Sequence, residues 1–499
     1  MNRNEMETTA LLEPDRARPD YSNDDFNGDD DAKSVLLATW AGETRKMISY
    51  SVPLILTYLL QYFYSLVIVL VVGRIGEDEL AAVSLGVTTM NIVGFAIFEG
   101  IATSLDTLCA QAYGSGNPRL VGLHVQRMVL LLLLVACPVG TVWLCSPWIL
   151  AKVIPQPQLA VLAGTFLRTS LVGVPGYVVF EAGKRFLQCQ GNFTTSLIVL
   201  LVCTPVNLLL NWVLVFKLGF GVMGSAFAAA LTNDLRAILL VLYIAFRLPE
   251  THHCWPGLLP KATFRNWMPM IKLSIPGAVM TFGEWFAFEL LNFSTAYIKV
   301  GAGDRLSSGP LAAQAILSTT SVLVWHIPFS CSVVASTRIG ILIGRGSVGT
   351  AKSLSKFYAA FFAGTAILDS MLALAIGGLI AGLGTRSPSG EVQALVVAAL
   401  PFVAVFQLFD AGVCCVHGIL RGLGRQAIGG YATFAVNYVF GVPLALILSL
   451  GPPALGLAGL WSGLSIGMAV LVSVQVVVLG LMEWERCVED ARKREEDCD

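Results

Sequence analysis

The chain has 499 residues, of which 55% are hydrophobic and 13% charged; its formal net charge is −1. Soluble domains carry about 25% charged residues, so this balance belongs to a polytopic membrane protein. The near-neutral charge gives no basic field for nucleic acid, and the eleven cysteines lack a C-x-x-C pair or histidines at zinc spacing, so neither metal nor cofactor is expected.

In chain order, residues 1–45 are polar and acidic, with Asp24, Asp25, Asp29, Asp30 and Asp31, and are expected to form a disordered cytosolic tail. Within it, Glu7 through Leu11-Leu12 fits the acidic dileucine pattern E-x-x-x-L-L, which favours a vacuolar or lysosomal membrane over the plasma membrane. A bilayer-spanning helix needs about 20 apolar residues. Twelve such runs follow, at 46–72, 80–103, 121–146, 159–182, 193–216, 220–247, 269–298, 309–343, 354–384, 393–420, 427–450 and 455–482. The longest polar connection, 248–268, separates two sets of six, so 46–247 and 269–482 are expected to be two six-helix bundles, with 483–499 a second cytosolic tail. Loops on one side carry fourteen Lys and Arg against six on the other, which places the richer side, and both termini, in the cytoplasm.

The halves repeat. Asn207 in TPVNLLLNW answers Asn437 in FAVNYVFGVP (437 − 207 = 230), and Gly114 answers Gly344 at the same offset (344 − 114 = 230). FEAG at 180–183 answers FDAG at 409–412 (410 − 181 = 229), and Gly224 answers Gly459 (459 − 224 = 235). Two six-helix halves insert in the same orientation, so their pseudo-two-fold axis runs along the membrane normal with a cleft between them. The fold class is therefore an all-α membrane protein with twelve transmembrane helices in two pseudo-symmetric six-helix bundles.

A charge at bilayer depth is unfavourable and marks a pathway, a pair or a relay. Glu284 sits mid-run in VMTFGEWFAFELL, with no basic residue in the central part of that run. An ionised carboxylate in hydrocarbon is disfavoured, so a protonated form is accessible to it. Glu289, five residues on, lies about 140° round the helix and does not share its face. Glu181 has Lys184 at i+3 and Arg185 at i+4, the spacing of a helical ion pair. Asp106 and Glu99 are expected at the cytoplasmic end of the second run, packing or gating there with Arg119 or Arg127 as partners. Aromatic faces, which attract organic cations, gather around Glu284 as Phe282, Trp285, Phe286 and Phe288, with Trp325 in the eighth run. Pro276, eight residues before Glu284, is the hinge expected to matter most.

Six motifs in order resemble the multidrug and toxic compound extrusion (MATE) family, in its eukaryotic, fungal-like form. They are VVGRIGEDELAAVSLG (71–86), SLDTLCAQAYGSGN (104–117), RFLQCQG (185–191), GEWFAFELL (283–291), ASTRIGILIGRG (335–346) and QLFDAGVCCVHGILRGLGRQ (407–426). The resemblance covers about 46–480 and implies export of organic compounds, cationic or amphiphilic, in exchange for inward H⁺ or Na⁺, by a monomer. It also implies that the seventh, eighth and tenth helices line a C-terminal cavity, so that Glu284 and Asp410 face each other as the coupling and binding pair, with Glu289 beside them. Where many prokaryotic relatives have a first-helix Asp, this chain offers Gln61, and Thr319 stands where some animal relatives have Glu. The substrate cavity is expected to include Gln61, Trp285, Asn207, Asn437, Thr319 and Trp325, with Asp106, Glu181 and Pro276 as gating positions.

Other classes fit less well. Gly301-Ala302-Gly303-Asp304 matches an intramembrane aspartyl protease string, but no upstream Tyr-Asp completes it, and no G-x-x-x-x-G-K-[ST] supplies an ATPase. No enzyme is expected. A lipid or lipid-linked flippase would want more interior Lys and Arg than Arg168 and Arg236 supply, and a channel would want rings of charge.

Overall fold

The computed structural model describes residues 29–153, 156–298, 309–384 and 390–496. The dileucine motif at Leu11 and Leu12 and the Gly301–Asp304 string lie outside them. The chain divides into two units, its N-terminal 45 residues and Lys46–Asp499. The described residues include α1 (Asp29–Val72), which begins in the first unit and continues into the second, and then, within the second unit, α2 (Glu77–Ser115), α3 (Pro118–Val153), α4 (Pro157–Gln188), α5 (Thr194–Lys217) and α6 (Gly221–Arg247). Then come α7 (Met268–Ser294), α8 (Gly309–Gly344), α9 (Val348–Gly384), α10 (Glu391–Leu423), α11 (Gln426–Leu450), α12 (Gly456–Leu481) and α13 (Trp484–Glu496).

Eleven of these are long and apolar enough to cross a membrane. The twelfth span, α7, has the length at 27 residues, but Glu284 and Glu289 dilute its apolar character. Several helices outrun the apolar runs that announce them. The second continues from 103 to Ser115 because a helix need not stop where hydrocarbon does. The segment 1–45 is not all tail, since α1 begins at Asp29. The segment 483–499 is likewise helical over Trp484–Glu496, with Trp484, Cys487, Val488 and Ala491 buried.

Two of the local irregularities sit next to prolines. A proline ring excludes the i−4 carbonyl and donates no amide hydrogen, so the helix must loosen or tighten nearby. In α4 a 3-10 turn over Leu171–Gly173 precedes Pro175, and in α11 a π-turn over Val436–Gly441 precedes Pro443. Two further π-turns, Asn91–Phe95 in α2 and Trp212–Lys217 in α5, have no proline among their own residues.

Among the described residues each bundle has an apolar core. One includes Phe98, Trp143, Phe166, Phe180, Leu200 and Leu240; the other includes Leu317, Val396, Phe406, Leu457, Trp461 and Leu471. Outward-facing Leu70, Phe246, Val439 and Leu481 give the apolar surface that lipid requires.

The bundles meet along α2, α7, α8 and α10. Their tightest approach is reciprocal: a β-carbon on Gly114 would meet the Ile341 carbonyl, and one on Gly344 would meet the Gln111 carbonyl. Both pairs keep the repeat offset (341 − 111 = 230; 344 − 114 = 230), so the pseudo-two-fold axis passes through this crossing. The other repeated pair also keeps its role, with Gly224 against the Leu214 carbonyl and Gly459 against the Leu448 carbonyl. Gly344→Val therefore forces the two backbones apart. The expected cost is about 1–3 kcal/mol, to be read as a lower melting temperature in detergent; an unchanged melting curve rejects the close approach.

We call the end of the molecule holding this crossing, the 248–267 connection and α13 the base. The connection is seated rather than loose: Gln126 Nε2 donates to the Gly257 carbonyl at 2.7 Å, and Arg127 donates to the Ala262 carbonyl through Nη2 at 3.2 Å. Helix α13 touches both bundles. Arg494 donates to Gln111 Oε1 and Ser115 donates to Glu495, each at 2.9 Å, while Asp490 pairs with Arg425 at 2.9 Å.

Candidate functional site

A cavity of ≈170 Å³ lies between the bundles above the base. One wall is Tyr58, Gln61, Tyr62, Tyr177 and Asn207, with Glu99, Glu181 and Arg236; the other is Trp285, Trp325, His326 and Phe329. The walls touch through aromatic rings: Tyr58 meets Phe329 edge-on at 5.1 Å and Tyr62 lies 5.8 Å from the His326 ring, while within the second wall Trp325 stacks on Phe329 at 4.4 Å.

Below the cavity runs a buried charge network. Glu181 is 1% exposed and pairs with Lys184 at 2.8 Å and Arg185 at 2.7 Å, the local ion pair its spacing predicted. Gln61 Nε2 donates to the same carboxylate at 3.1 Å. Lys184 also sits 4.5 Å over the Tyr58 ring, where the ring face favours a cation. Asp106 pairs with neither Arg119 nor Arg127. It lies 3.2 Å from Arg185 Nε and 3.6 Å from Arg421 Nη1, which links α2 to α4 and, across the interface, to α10. Arg127 is drawn instead to the Ala262 carbonyl. Glu99 is placed higher than its sequence position suggested, because the crossing with α8 lies more than three turns farther along α2; it lines the cavity.

Uncharged groups complete the seal. Gln111 donates to the Gly422 carbonyl at 3.0 Å, Gln426 donates to Thr107 Oγ1 at 2.8 Å, and Ser104 meets Ser274 at 3.0 Å. Thr107 donates to the Arg421 carbonyl. Each joins one bundle to the other, so the cavity is closed toward the base. Pro276 is buried within α7, two residues from Ser274 of this seal, and its carbonyl faces Gly430 of α11, four residues from Gln426.

The C-terminal bundle holds a second cluster. Glu284 is partly exposed; its Oε1 is 3.3 Å from His417 Nδ1 but off the hydrogen-bond line, so that oxygen has no donor. His417 Nε2 faces Gln475 at 2.9 Å and Thr433 at 3.3 Å. Asp410 is buried with Oδ2 unpartnered, and Asp369 is fully buried with neither oxygen partnered. Asp410 is within electrostatic reach of both Glu284 and Asp369, and Arg421 is within reach of Glu284. Three carboxyls thus share one low-dielectric region. Glu289 stands apart from them, half-buried, with Asn292 donating to its Oε2 at 3.2 Å.

Of the residues expected in the cavity, Gln61, Asn207, Trp285 and Trp325 line it, as does the gating candidate Glu181. Thr319 and Asn437 are not among its lining residues, and neither are Glu284, Glu289 and Asp410. The repeated asparagines differ in setting: Asn207 is buried and donates to Thr232 Oγ1 at 2.9 Å, while Asn437 is half-buried in a π-turn. Arg421, Asp369 and His417 do not stand out as site residues in the sequence. Their partners lie on other helices, and spacing along one helix carries no sign of them.

Comparison with known proteins agrees with this architecture. The MatE family model matches residues 53–213 and 271–447. An "uncharacterized transporter" of Saccharomyces cerevisiae is 37% identical over 90% of this chain, which spans 63% of that relative's length. Multidrug and toxin extrusion protein 1 of Xenopus tropicalis is 31% identical over 91% of this chain and 76% of its own. A crystal structure of the eukaryotic MATE transporter AtDTX14 superposes with a TM-score of 0.81 at 26% identity, covering 91% of this chain and 99% of that one. With two bundles, a shared cavity and a match over both halves, the chain belongs to the MatE family.

Proposed function

We propose that the protein exports hydrophobic or cationic organic molecules in exchange for protons, by alternating access of the cavity between the two bundles. The observation that carries the reading is a set of three carboxyls with unpartnered oxygens, Glu284, Asp410 and Asp369, of which Asp410 is within electrostatic reach of both others. Carboxyls crowded in low dielectric exchange protons as a set, since ionising one disfavours ionising the next. If protonation and cargo binding oppose each other, that coupling is reciprocal, and a proton gradient drives cargo against its own gradient. Asp106 and Arg421, joined across the bundle interface, act as the gate at the base, with Glu181 holding Arg185 in place for it. The base, where the Lys and Arg of the loops concentrate, is assigned to the cytoplasm and the membrane to the vacuole or lysosome.

The test is uptake of a fluorescent organic cation into reconstituted vesicles under an imposed pH gradient or an imposed Na⁺ gradient. Accumulation is expected with the pH gradient and is expected to collapse when a protonophore is added. Accumulation that follows Na⁺ alone assigns the coupling to Na⁺ instead, and movement of a labelled lipid without either gradient assigns the protein to flippases.

A further inference from the structure

Arg236 makes no ion pair among the described residues, although Glu181 and Asp234 lie within electrostatic reach of it. It projects from α6, is 3% exposed, and lines the cavity. Its guanidinium lies 4.6 Å from the Phe180 ring and 5.1 Å from the Tyr177 ring. Of its nitrogens, Nε and Nη2, which form one edge of the fork, are buried with no acceptor. Asp234, two residues earlier, turns instead to the Gly176 amide, whose N–H it accepts at 3.1 Å. Glu181 is already held by Lys184 and Arg185. A planar donor fork held by ring faces and open along its Nε–Nη2 edge matches a carboxylate or sulfonate, which it can take with two parallel hydrogen bonds.

Building on the export reading, we propose that the preferred cargo is an aromatic compound bearing an acidic group, and that Arg236 receives that group. The opposite wall supplies Trp285 and Trp325 for an aromatic body, positively charged or neutral. A cargo bridging the two walls is then a zwitterion or an aromatic acid, with its carboxylate toward α6. The same geometry makes a purely cationic aromatic a weaker ligand, because it leaves the guanidinium buried and unpaired.

Two dyes that differ only at the carboxyl decide this: rhodamine 110, which has a free carboxylate, and rhodamine 123, its methyl ester. Binding to the purified full chain is read by fluorescence polarisation, which needs no gradient and so stands apart from whether transport is coupled to protons. The wild type is expected to bind rhodamine 110 more tightly. Arg236→Gln is expected to weaken rhodamine 110 by roughly 10- to 100-fold, as for loss of a charge-assisted bidentate contact, and to leave rhodamine 123 within about twofold. Arg236→Lys, which keeps the charge but not the fork, is expected to retain an intermediate preference, and it serves alone if Arg236→Gln does not fold. Equal affinity for the two dyes in the wild type, or a parallel loss of both in either variant, overturns the proposal. Loss of gradient-driven uptake with the dye preference intact would instead reject the coupling reading and leave this one standing.

Discussion

Glu284→Gln is expected to abolish pH-gradient-driven uptake while leaving a folded protein. The amide has nearly the shape of the carboxylic acid but cannot release a proton, so it holds the site in the protonated form. Glu284 is the most exposed of the three carboxyls: its side chain is 24% exposed, whereas Asp410 and Asp369 are buried. On the export reading it is therefore the carboxyl of the three expected to exchange its proton with water. Stability should not fall, because an amide is cheaper to bury than a carboxylate lacking a donor. The expected result is uptake at the level of protein-free vesicles with an unchanged or raised melting temperature. Asp410→Asn is expected to behave alike, since Asp410 is within reach of both other acids. Undiminished proton-driven uptake in Glu284→Gln removes Glu284 from the mechanism.

The second large effect belongs to Asp106. Its carboxylate sits between Arg185 and Arg421, all three about 3% exposed. Asp106→Ala leaves two buried guanidiniums facing a cavity that held their anion. Breaking a buried pair in this way costs about 3–5 kcal/mol, which should lower the melting temperature in detergent markedly. Adding Arg421→Met removes one of the stranded charges, so the double variant should melt above Asp106→Ala alone. Such non-additivity is the signature of a shared interaction. If Asp106→Ala melts like the wild type, the inter-bundle ion pair is absent and the gate must lie elsewhere.

Much of this architecture is readable in the sequence, and what escapes has a common cause. The twelve spans come from runs of apolar residues, and the two bundles from one repeat offset, because both are properties of a chain taken in order. Glu181 with Lys184 and Arg185 is legible for the same reason: i+3 and i+4 neighbours share a helix face. Asp106 is not, since its partners are 79 and 315 residues away (185 − 106; 421 − 106). The cavity is half legible. Trp285 and Trp325 are expected from their aromatic setting, but for Arg236 the sequence shows only that Asp234, at i+2, does not share its face, not what it does face. The polar segment 483–499 hides a helix because only its buried stripe, not its average polarity, records the seat it occupies.

The reciprocal meeting of Gly114 with Ile341 and of Gly344 with Gln111 has a mechanical consequence. Main chains touching without intervening side chains lack the soft, deformable tips that let most interfaces yield gradually. Dispersion there is short-ranged, and a gap of 0.5–1 Å already forfeits about a quarter to a half of the attraction. Symmetry doubles the effect, since both contacts loosen in the same displacement. The closure should therefore behave like a magnetic catch: firm when shut, and with almost no resistance once parted.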